Sequence, residues 1–551
     1  MENEPATIDG RTTTPQDAGR AGAGPTMKRP STLWIILLSI LGVIILAMSA
    51  MIYIGVRDVS PYARDWVVQW MQDRYQSQVD LQSFKIRVYP RIHIEGAGLA
   101  LHFQGRTDIP PIIAIRHFSV DTGVLGLLHA PRHVEHVHLD GMQLNIPPRG
   151  EGETPNLKSS NSAPSSNSAG SSVVIDLIES AKVMLIIRPN LAKKEPQDYD
   201  ISHLTMRADG NDSMNFHATL SNPVPPGDIL TSGNFGPWDS DDPGSTPVSG
   251  SYTYDHADLG YFQGIAGILS SKGQYKGELD NLTVDGTTDV PDFRVLSGNH
   301  KVHLMTTFHA IVDGTNGDTY LQPVTARFNK TVLLTQGSVE GTPGKPGKTI
   351  TLNVTATQGR IEDLLLLAVK DEPALTGDIQ LKTKFVLPPG PSQISDKLFL
   401  DGNFNIDSAH FTSSNIREKV DTLSNKSQGN TQPPGPDENI ASQMHSKFRL
   451  KNGVITFEGL AFSVPGAQIN LDGTYTLNGE ALDLYGQIAM QAKLSQMTHG
   501  VKSFFLKAVD PFFSKNGHGT VLPIKITGDV KHPSYGLDFH HKKDKAASSG
   551  N

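Results

Sequence analysis

The sequence predicts a mainly β protein of antiparallel strands, with a single N-terminal transmembrane helix and a few short amphipathic helices. Three observations lead to this prediction. Residues 33–54 (LWIILLSILGVIILAMSAMIYI) contain no charge, amide or proline. Many later segments alternate apolar and polar residues, which is the two-residue period of strands with one dry face. The chain also contains 52 Gly and 36 Pro, a composition typical of turn-rich β proteins.

Residues 33–54 are long enough to cross a membrane, because a helix of this length reaches roughly 33 Å. Lys28 and Arg29 precede the segment, so the positive-inside rule predicts a cytoplasmic N-terminus and an extracytoplasmic chain beyond Tyr62. A signal peptide cleaved near residues 47–49 is the alternative. The apolar segment continues past that site, which favours an uncleaved single-pass anchor.

Composition excludes several classes of function. The chain has no cysteine, which rules out disulfides, thiol catalysis and cysteine-ligated metals. Its net charge is −8 with no long basic segment, so nucleic acid is not an expected partner.

Polar and low-complexity segments divide the chain. We expect a disordered cytoplasmic tail over 1–32, the transmembrane helix over 33–54, an N-terminal region over 55–146, a Ser/Asn/Gly-rich loop over 147–172, a central β region over 173–370, a C-terminal region over 371–539 and a disordered tail over 540–551.

The clearest strand pattern lies in residues 468–490, where apolar and polar residues alternate on both sides of Asn478-Gly479, a tight-turn signal. The apolar residues that should share one face here are Ile469, Leu471, Tyr475, Leu477, Leu482, Leu484, Ile488 and Met490. Further strands are predicted over 137–146, 183–188, 215–220, 277–284, 301–311, 331–339, 349–356, 377–387, 397–406 and 446–457. Many of these segments carry Asp-Gly or Asn-Gly pairs, which we interpret as turn signals.

Helical spacing occurs in three places after the anchor, over 60–76, 360–369 and 494–513. The last segment is rich in Phe and Lys. It could lie on a membrane surface or cap one end of the sheet.

Motifs for chemistry are absent, so we expect no catalytic, cofactor-binding or metal site and no enzymatic activity. Residues 341–349 (GTPGKPGKT) lack the glycine spacing of a phosphate loop. His129, His133, His136 and His138 lie close in sequence, but on a strand His133 faces away from the last two, which disfavours a metal site.

The order of several segments resembles the AsmA family of bacterial envelope proteins. The N-terminal resemblance rests on residues 79–96 (VDLQSFKIRVYPRIHIEG), 105–111 (GRTDIPP) and 137–142 (VHLDGM). The C-terminal resemblance rests mainly on residues 399–404 (FLDGNF) and 520–528 (TVLPIKITG). The quoted positions are glycines, prolines and apolar residues, so no catalytic role carries over.

This resemblance implies an inner-membrane-anchored periplasmic protein related to chorein-type bridge-like lipid-transfer proteins. It implies an elongated, curved antiparallel sheet that forms an apolar groove for phospholipid acyl chains and contributes to outer-membrane lipid homeostasis and envelope assembly. Other envelope proteins are possible partners. Two alternatives stay open, a non-enzymatic scaffold whose apolar face is packed dry and a glycan-acting enzyme with a carboxylate pair in a cleft.

Overall fold

The computed structural model describes residues 42–47, 49, 60–75, 77–88, 91–102, 109–128, 132–146, 173–188, 197–210, 212–239, 243–342, 345–428, 440–491, 520–530 and 532–538. Residues 1–59 and 60–551 form two separate units. In the first, residues 42–47 and 49 are helical. No helix among the described residues is both long and apolar enough for a membrane crossing. Most of the predicted segment 33–54, and all of 494–513, lie outside the described residues.

The second unit is built mainly from strands, so the predicted mainly β class is confirmed. Strands make up 66% of the residues that the structure describes, and most belong to one large curled half-barrel sheet of 24 strands. The strands are β1 (Val79–Arg87), β2 (Ile92–Leu101), β3 (Ile113–Thr122), β4 (Arg132–Val134), β5 (His136–Ile146), β6 (Val173–Ile175), β7 (Leu177–Ile187), β8 (Gln197–Ala208), β9 (Met214–Pro223), β10 (Pro226–Phe235), β11 (Val248–Asp258), β12 (Ile265–Ala266), β13 (Ile268–Glu278), β14 (Asn281–Val295), β15 (Val302–Asp313), β16 (Asp318–Phe328), β17 (Thr331–Gly341), β18 (Lys348–Arg360), β19 (Leu375–Leu387), β20 (Phe399–Phe411), β21 (Ser442–Lys451), β22 (Val454–Val464), β23 (Ala467–Thr476), β24 (Ala481–Met490), β25 (Thr520–Asp529) and β26 (Pro533–Leu537).

Five α-helices accompany the strands in the described part of this unit. They are α1 (Ser60–Tyr75), α2 (Val124–Leu128), α3 (Ile361–Ala368), α4 (Ile394–Lys397) and α5 (Ser414–Ser427). The helices predicted over 60–76 and 360–369 are therefore confirmed as α1 and α3. Helix α5 was not predicted, because its sequence (SNIREKVDTLSNKS) is mostly polar and gives little apolar periodicity.

Neighbouring strands follow one another in chain order, so the long sheet is an antiparallel meander over most of its length. The exception is β5, which pairs with β7 in parallel, from Val137 opposite Ile178 to Ile146 opposite Ile187. The short strands β4 and β6 also pair in parallel, as a separate two-stranded sheet. The prediction of a purely antiparallel sheet is thus wrong at this junction, where a chain crossover replaces a hairpin.

Two predicted strands contain a turn and are corrected. Residues 277–284 include the end of β13 and the start of β14, and residues 446–457 include the turn at Asn452-Gly453 between β21 and β22. Conversely, Asp285-Gly286, Asp401-Gly402 and Asp472-Gly473 lie inside strands. An aspartate and a glycine can both fit a strand when the aspartate side chain points to water and the glycine lies where the backbone of the next strand comes close.

Helices α3 and α5 pack on the same face of the sheet at one long margin, α3 near the start of β19 and α5 near the end of β22 and the start of β23. Ile361 and Leu364 of α3 contact a core that contains Ile379 and Ile406. Val420 of α5 is 9% exposed and belongs to a cluster of buried residues whose other members are Val464, Ala467, Ile488, Met490 and Leu522. Both helices therefore cover the same face at the same long margin.

Candidate functional site

One cross-strand row of residues runs almost the whole length of the long sheet and contains only apolar residues, tyrosine and glycine. From β1 to β25 its members are Ile86, Ile94, Val120, Val137, Ile178, Met206, Phe216, Gly233, Gly250, Tyr275, Val284, Ala310, Leu321, Gly337, Leu352, Phe385, Leu400, Leu450, Ile455, Tyr475, Leu482 and Gly528. Residues directly opposite each other in paired strands point to the same face. We call this set the apolar row and its side of the sheet the inner face.

Most side chains of the apolar row are half-buried. Phe216, Ala310 and Leu450 are buried at 9%, 1% and 3% exposure, Gly528 is exposed, and the others are intermediate. A row packed as a dry core would be fully buried, whereas a solvated row would not be apolar at every position. The inner face is thus a partly open apolar surface.

The opposite, outer face is polar along the same strands. From β1 to β15 one row consists of Lys85, Glu95, Ser119, His138, Glu179, Thr205, His217, Ser232, Ser251, Gln274, Asp285 and His309. From β17 to β26 another consists of Gln336, Asn353, Lys384, Asp401, Arg449, Thr456, Thr474, Asp483, Thr527 and Ser534. The sheet is therefore amphipathic over nearly its full length.

Glycines on the inner face occur where the backbones of adjacent strands approach closely. A β-carbon added at Gly486 would lie 1.9 Å from the carbonyl oxygen of Asn470, and one at Gly473 would lie 2.1 Å from that of Asp483. Glycine at these positions therefore allows the backbones of neighbouring strands to approach closely.

The structure brings most of the predicted apolar residues of β23 and β24 together on the inner face. Tyr475 lies opposite Leu482 and Ile469 opposite Ile488, while Leu471 and Leu484 each face a glycine of the neighbouring strand. The buried members of the predicted set are Leu471, Leu484, Ile488 and Met490, and the half-buried members are Ile469, Tyr475, Leu477 and Leu482. Leu477 lies in the turn after β23, with its N–H donating to Gly453 O at 2.9 Å.

Tyrosines of the inner face stay neutral over the physiological pH range. Burial raises the pKa of Tyr275, with a smaller opposing effect of its hydrogen bond to Thr231. Burial also raises the pKa of Tyr475, and the negative charge of Glu480 adds to this effect. Neither ring therefore introduces a charge into the apolar row.

Two of the histidines considered as metal ligands, His133 and His136, have separate carboxylate partners. His133 Nδ1 lies 2.8 Å from Asp176 Oδ1, and His136 Nε2 lies 3.1 Å from Glu179 Oε2. Within the described part of the chain, no three His, Asp or Glu side chains are grouped to hold a metal ion. His129 lies outside the described residues. In segment 341–349, Lys348 Nζ donates to Asn316 O at 2.7 Å, so this lysine contacts the protein itself.

Sequence reasoning missed most of the apolar row, including Leu352, Phe385 and Leu400. Alternation within each strand was visible in the sequence, but the register that aligns these residues across strands was not.

No protein-family model, curated protein or solved structure matches this chain. The resemblance to the AsmA family therefore stays a prediction that rests on the quoted residues.

Proposed function

We propose that this chain is a membrane-anchored periplasmic protein that binds or transfers phospholipid along the inner face of its sheet, and so contributes to outer-membrane lipid homeostasis and envelope assembly. The observation that carries the proposal is the apolar row, which continues from strand to strand without a charged residue. The anchor is the predicted helix over residues 33–54.

The energetics of an acyl chain explain why such a row suits this task. Moving a chain from a bilayer into water costs about 0.8 kcal/mol per CH₂, or on the order of 12 kcal/mol for a palmitoyl-length tail. Half-buried apolar side chains would offset most of this cost while the headgroup stays in water. Because no charged side chain interrupts the row, a bound chain would meet similar contacts as it moves along the sheet.

The length of the sheet also supports transfer over simple storage. Of the 24 strands of the sheet, 23 lie side by side, because β12 and β13 share one edge of β14. At about 4.8 Å between neighbours, these strands would extend roughly 105 Å if flat, far more than one lipid needs. A surface that long is useful when the ligand has to change position.

The first test is native mass spectrometry of the full chain purified in detergent. We expect co-purified phospholipid, released as whole lipid on activation. A protein free of lipid in several detergents would contradict the proposal.

Site-specific photo-crosslinking provides a sharper test, because each inner-face residue has an outer-face neighbour in sequence. A benzophenone side chain at Phe385 or at Tyr475 should crosslink phospholipid. The matched controls are Lys384 and Thr474, one residue away on the outer face, and these should not crosslink. Equal crosslinking at both members of each pair would mean that the inner face is not the binding surface.

A scaffold that holds envelope proteins is the second candidate, and one observation favours it. Leu460, Leu471 and Leu484 are buried at 9%, 5% and 6% exposure and form a packed cluster, as expected of a dry face. The substitution Leu482→Glu, at a half-buried position, distinguishes the two functions. Loss of lipid with an unchanged free energy of unfolding supports transfer. Strong destabilisation supports a packed scaffold.

A further inference from the structure

The outer face carries a depression of about 670 Å³ over strands β18 to β22. Lys382 and Lys384 of β19 form one side, and Lys447 and Arg449 of β21 form the other. Between them, β20 contributes Asp401 and Asn403, and Lys382 and Lys447 both lie directly opposite Asn403. The depression is of the size that accommodates a small ligand.

The charges in this depression are unbalanced. Arg449 Nε lies 3.0 Å from Asp401 Oδ2, so this pair is neutralised. Lys382, Lys384 and Lys447 are exposed and form no ion pair with any other residue that the structure describes. Glu458 of β22, which lies directly opposite Lys447, is the other acidic residue that lines the depression, so four basic side chains share it with two acidic ones. Like charges that line one depression repel one another, and an anionic ligand would relieve that repulsion.

A second depression on the same sheet lacks this charge. It measures about 620 Å³, lies over strands β8 to β14 and has a single lysine, Lys272, among mostly Ser, Thr and His residues. Concavity alone therefore does not bring lysines together on this protein. Of these two depressions, only the one at β18 to β22 has an excess of positive charge, in a chain with a net charge of −8.

We propose that the depression at β18 to β22 binds a soluble polyanionic glycan, with Lys382, Lys384 and Lys447 as ligands of its phosphate or carboxylate groups. Asn353, Thr355 and Asn403 line the same depression and offer amide and hydroxyl groups that can hydrogen-bond sugar hydroxyls. No residue of the depression belongs to the exposed large hydrophobic side chains, which favours a soluble glycan over a lipid surface. This site is on the opposite face from the apolar row and does not depend on lipid binding.

The test uses the full chain in detergent at 150 mM salt and inositol hexakisphosphate as the probe, followed by isothermal titration calorimetry. We expect binding of inositol hexakisphosphate but not of uncharged myo-inositol. The double variant Lys382→Gln with Lys447→Gln should lower the affinity at least tenfold. The matched control, Lys272→Gln in the second depression, should leave it unchanged. Thermal unfolding of each variant checks that the fold is retained.

Three results would overturn the proposal. The first is no binding of inositol hexakisphosphate by the unmodified chain. The second is an affinity that the double variant retains, which would place the anion elsewhere. The third is binding to vesicles of anionic phospholipid, sensitive to the same two substitutions, without binding of inositol hexakisphosphate, which would make the site a membrane contact.

Discussion

Glycine determines the local shape of the inner face at single positions. Leu471 lies opposite Gly486, and Leu484 lies opposite Gly473, so each large side chain faces a position without one. The missing β-carbon allows the neighbouring backbone to come close, while the large residue still supplies apolar contact. The close approach of the strands and the apolar surface thus arise from the same pairs.

Gly486→Ala is expected to destabilise the protein by about 1–3 kcal/mol, because the added methyl group would overlap the carbonyl oxygen of Asn470. Chemical denaturation measures this change. Gly341→Ala is the matched control, since a β-carbon there would meet its nearest atom at 3.7 Å, and its effect should stay within about 0.5 kcal/mol. Equal effects of the two substitutions would contradict the role of Gly486 in the close approach of β23 and β24.

His93, on the outer face, makes the stability of the protein depend on pH. Its pKa is raised, first by the hydrogen bond to Asp121 and then by that to Glu95, at distances of 2.6 Å and 3.1 Å. Because the pKa of His93 is raised in the folded state, protonated His93 contributes to the free energy of unfolding. This contribution is fully present below about pH 6.5, the pKa of an unperturbed histidine, and is lost as the pH rises through the raised pKa.

We therefore expect His93→Gln to lower the free energy of unfolding more at pH 6 than at pH 8.5. The measurement is urea denaturation of both proteins at the two pH values. A difference between wild type and variant that does not change with pH would show that the ion pairs of His93 add no stability.

At the scale of elements, helix α3 is attached to the sheet through a buried carboxylate. Asp363 is 5% exposed and accepts hydrogen bonds from Thr331 Oγ1 at 2.8 Å and from Lys330 N at 3.0 Å. Thr331 is itself 1% exposed. These bonds connect the first turn of α3 to the start of β17, two strands away from β19.

Asp363→Ala should destabilise the protein by about 1–3 kcal/mol, because the buried hydroxyl of Thr331 loses its acceptor at 2.8 Å and keeps only Arg360 O at 3.5 Å, while Lys330 N loses its partner. Differential scanning calorimetry against Glu372→Ala, an exposed neighbour just after α3, measures the effect. If both variants unfold at the same temperature, α3 is held by its apolar side chains alone.

Secondary-structure elements differ in how clearly their sequences predict them. Strands such as β23 and β24 alternate cleanly, and Asn478-Gly479 marks their turn, so both were predictable. Helix α5 was not, since only a narrow stripe that includes Ile416 and Val420 faces the sheet. The parallel pairing of β5 with β7 depends on a crossover through residues 147–172, and no local pattern in either strand specifies it.

At the scale of the whole molecule, the fold class followed from periodicity and composition, but the continuity of the apolar row did not. Continuity needs the register of every neighbouring pair, including bulges such as the shift between Phe457 and Leu460. Register depends on turn length and on contacts between strands, which a single sequence shows only for the tightest hairpins.

Movement along the sheet can be separated from binding by a charge placed between two reporters. Leu352→Glu lies within the apolar row, between Ile94 near one end and Tyr475 near the other. If lipid enters at one end and moves along the row, photo-crosslinking should persist at the entry side and decrease beyond Leu352. Undiminished crosslinking at both reporters would show that lipid enters directly along the open face.

The meander topology makes the length of this protein independent of its cross-section. Each strand of the long sheet contacts mainly its two neighbours in chain order, so the molecule resembles a repeat array in which stability accumulates from neighbour to neighbour. Inserting or removing one hairpin would change the span by roughly 10 Å and keep every remaining residue on its own face. Sequence change can therefore adjust the reach of such a sheet in whole hairpin steps without redesign of its surface.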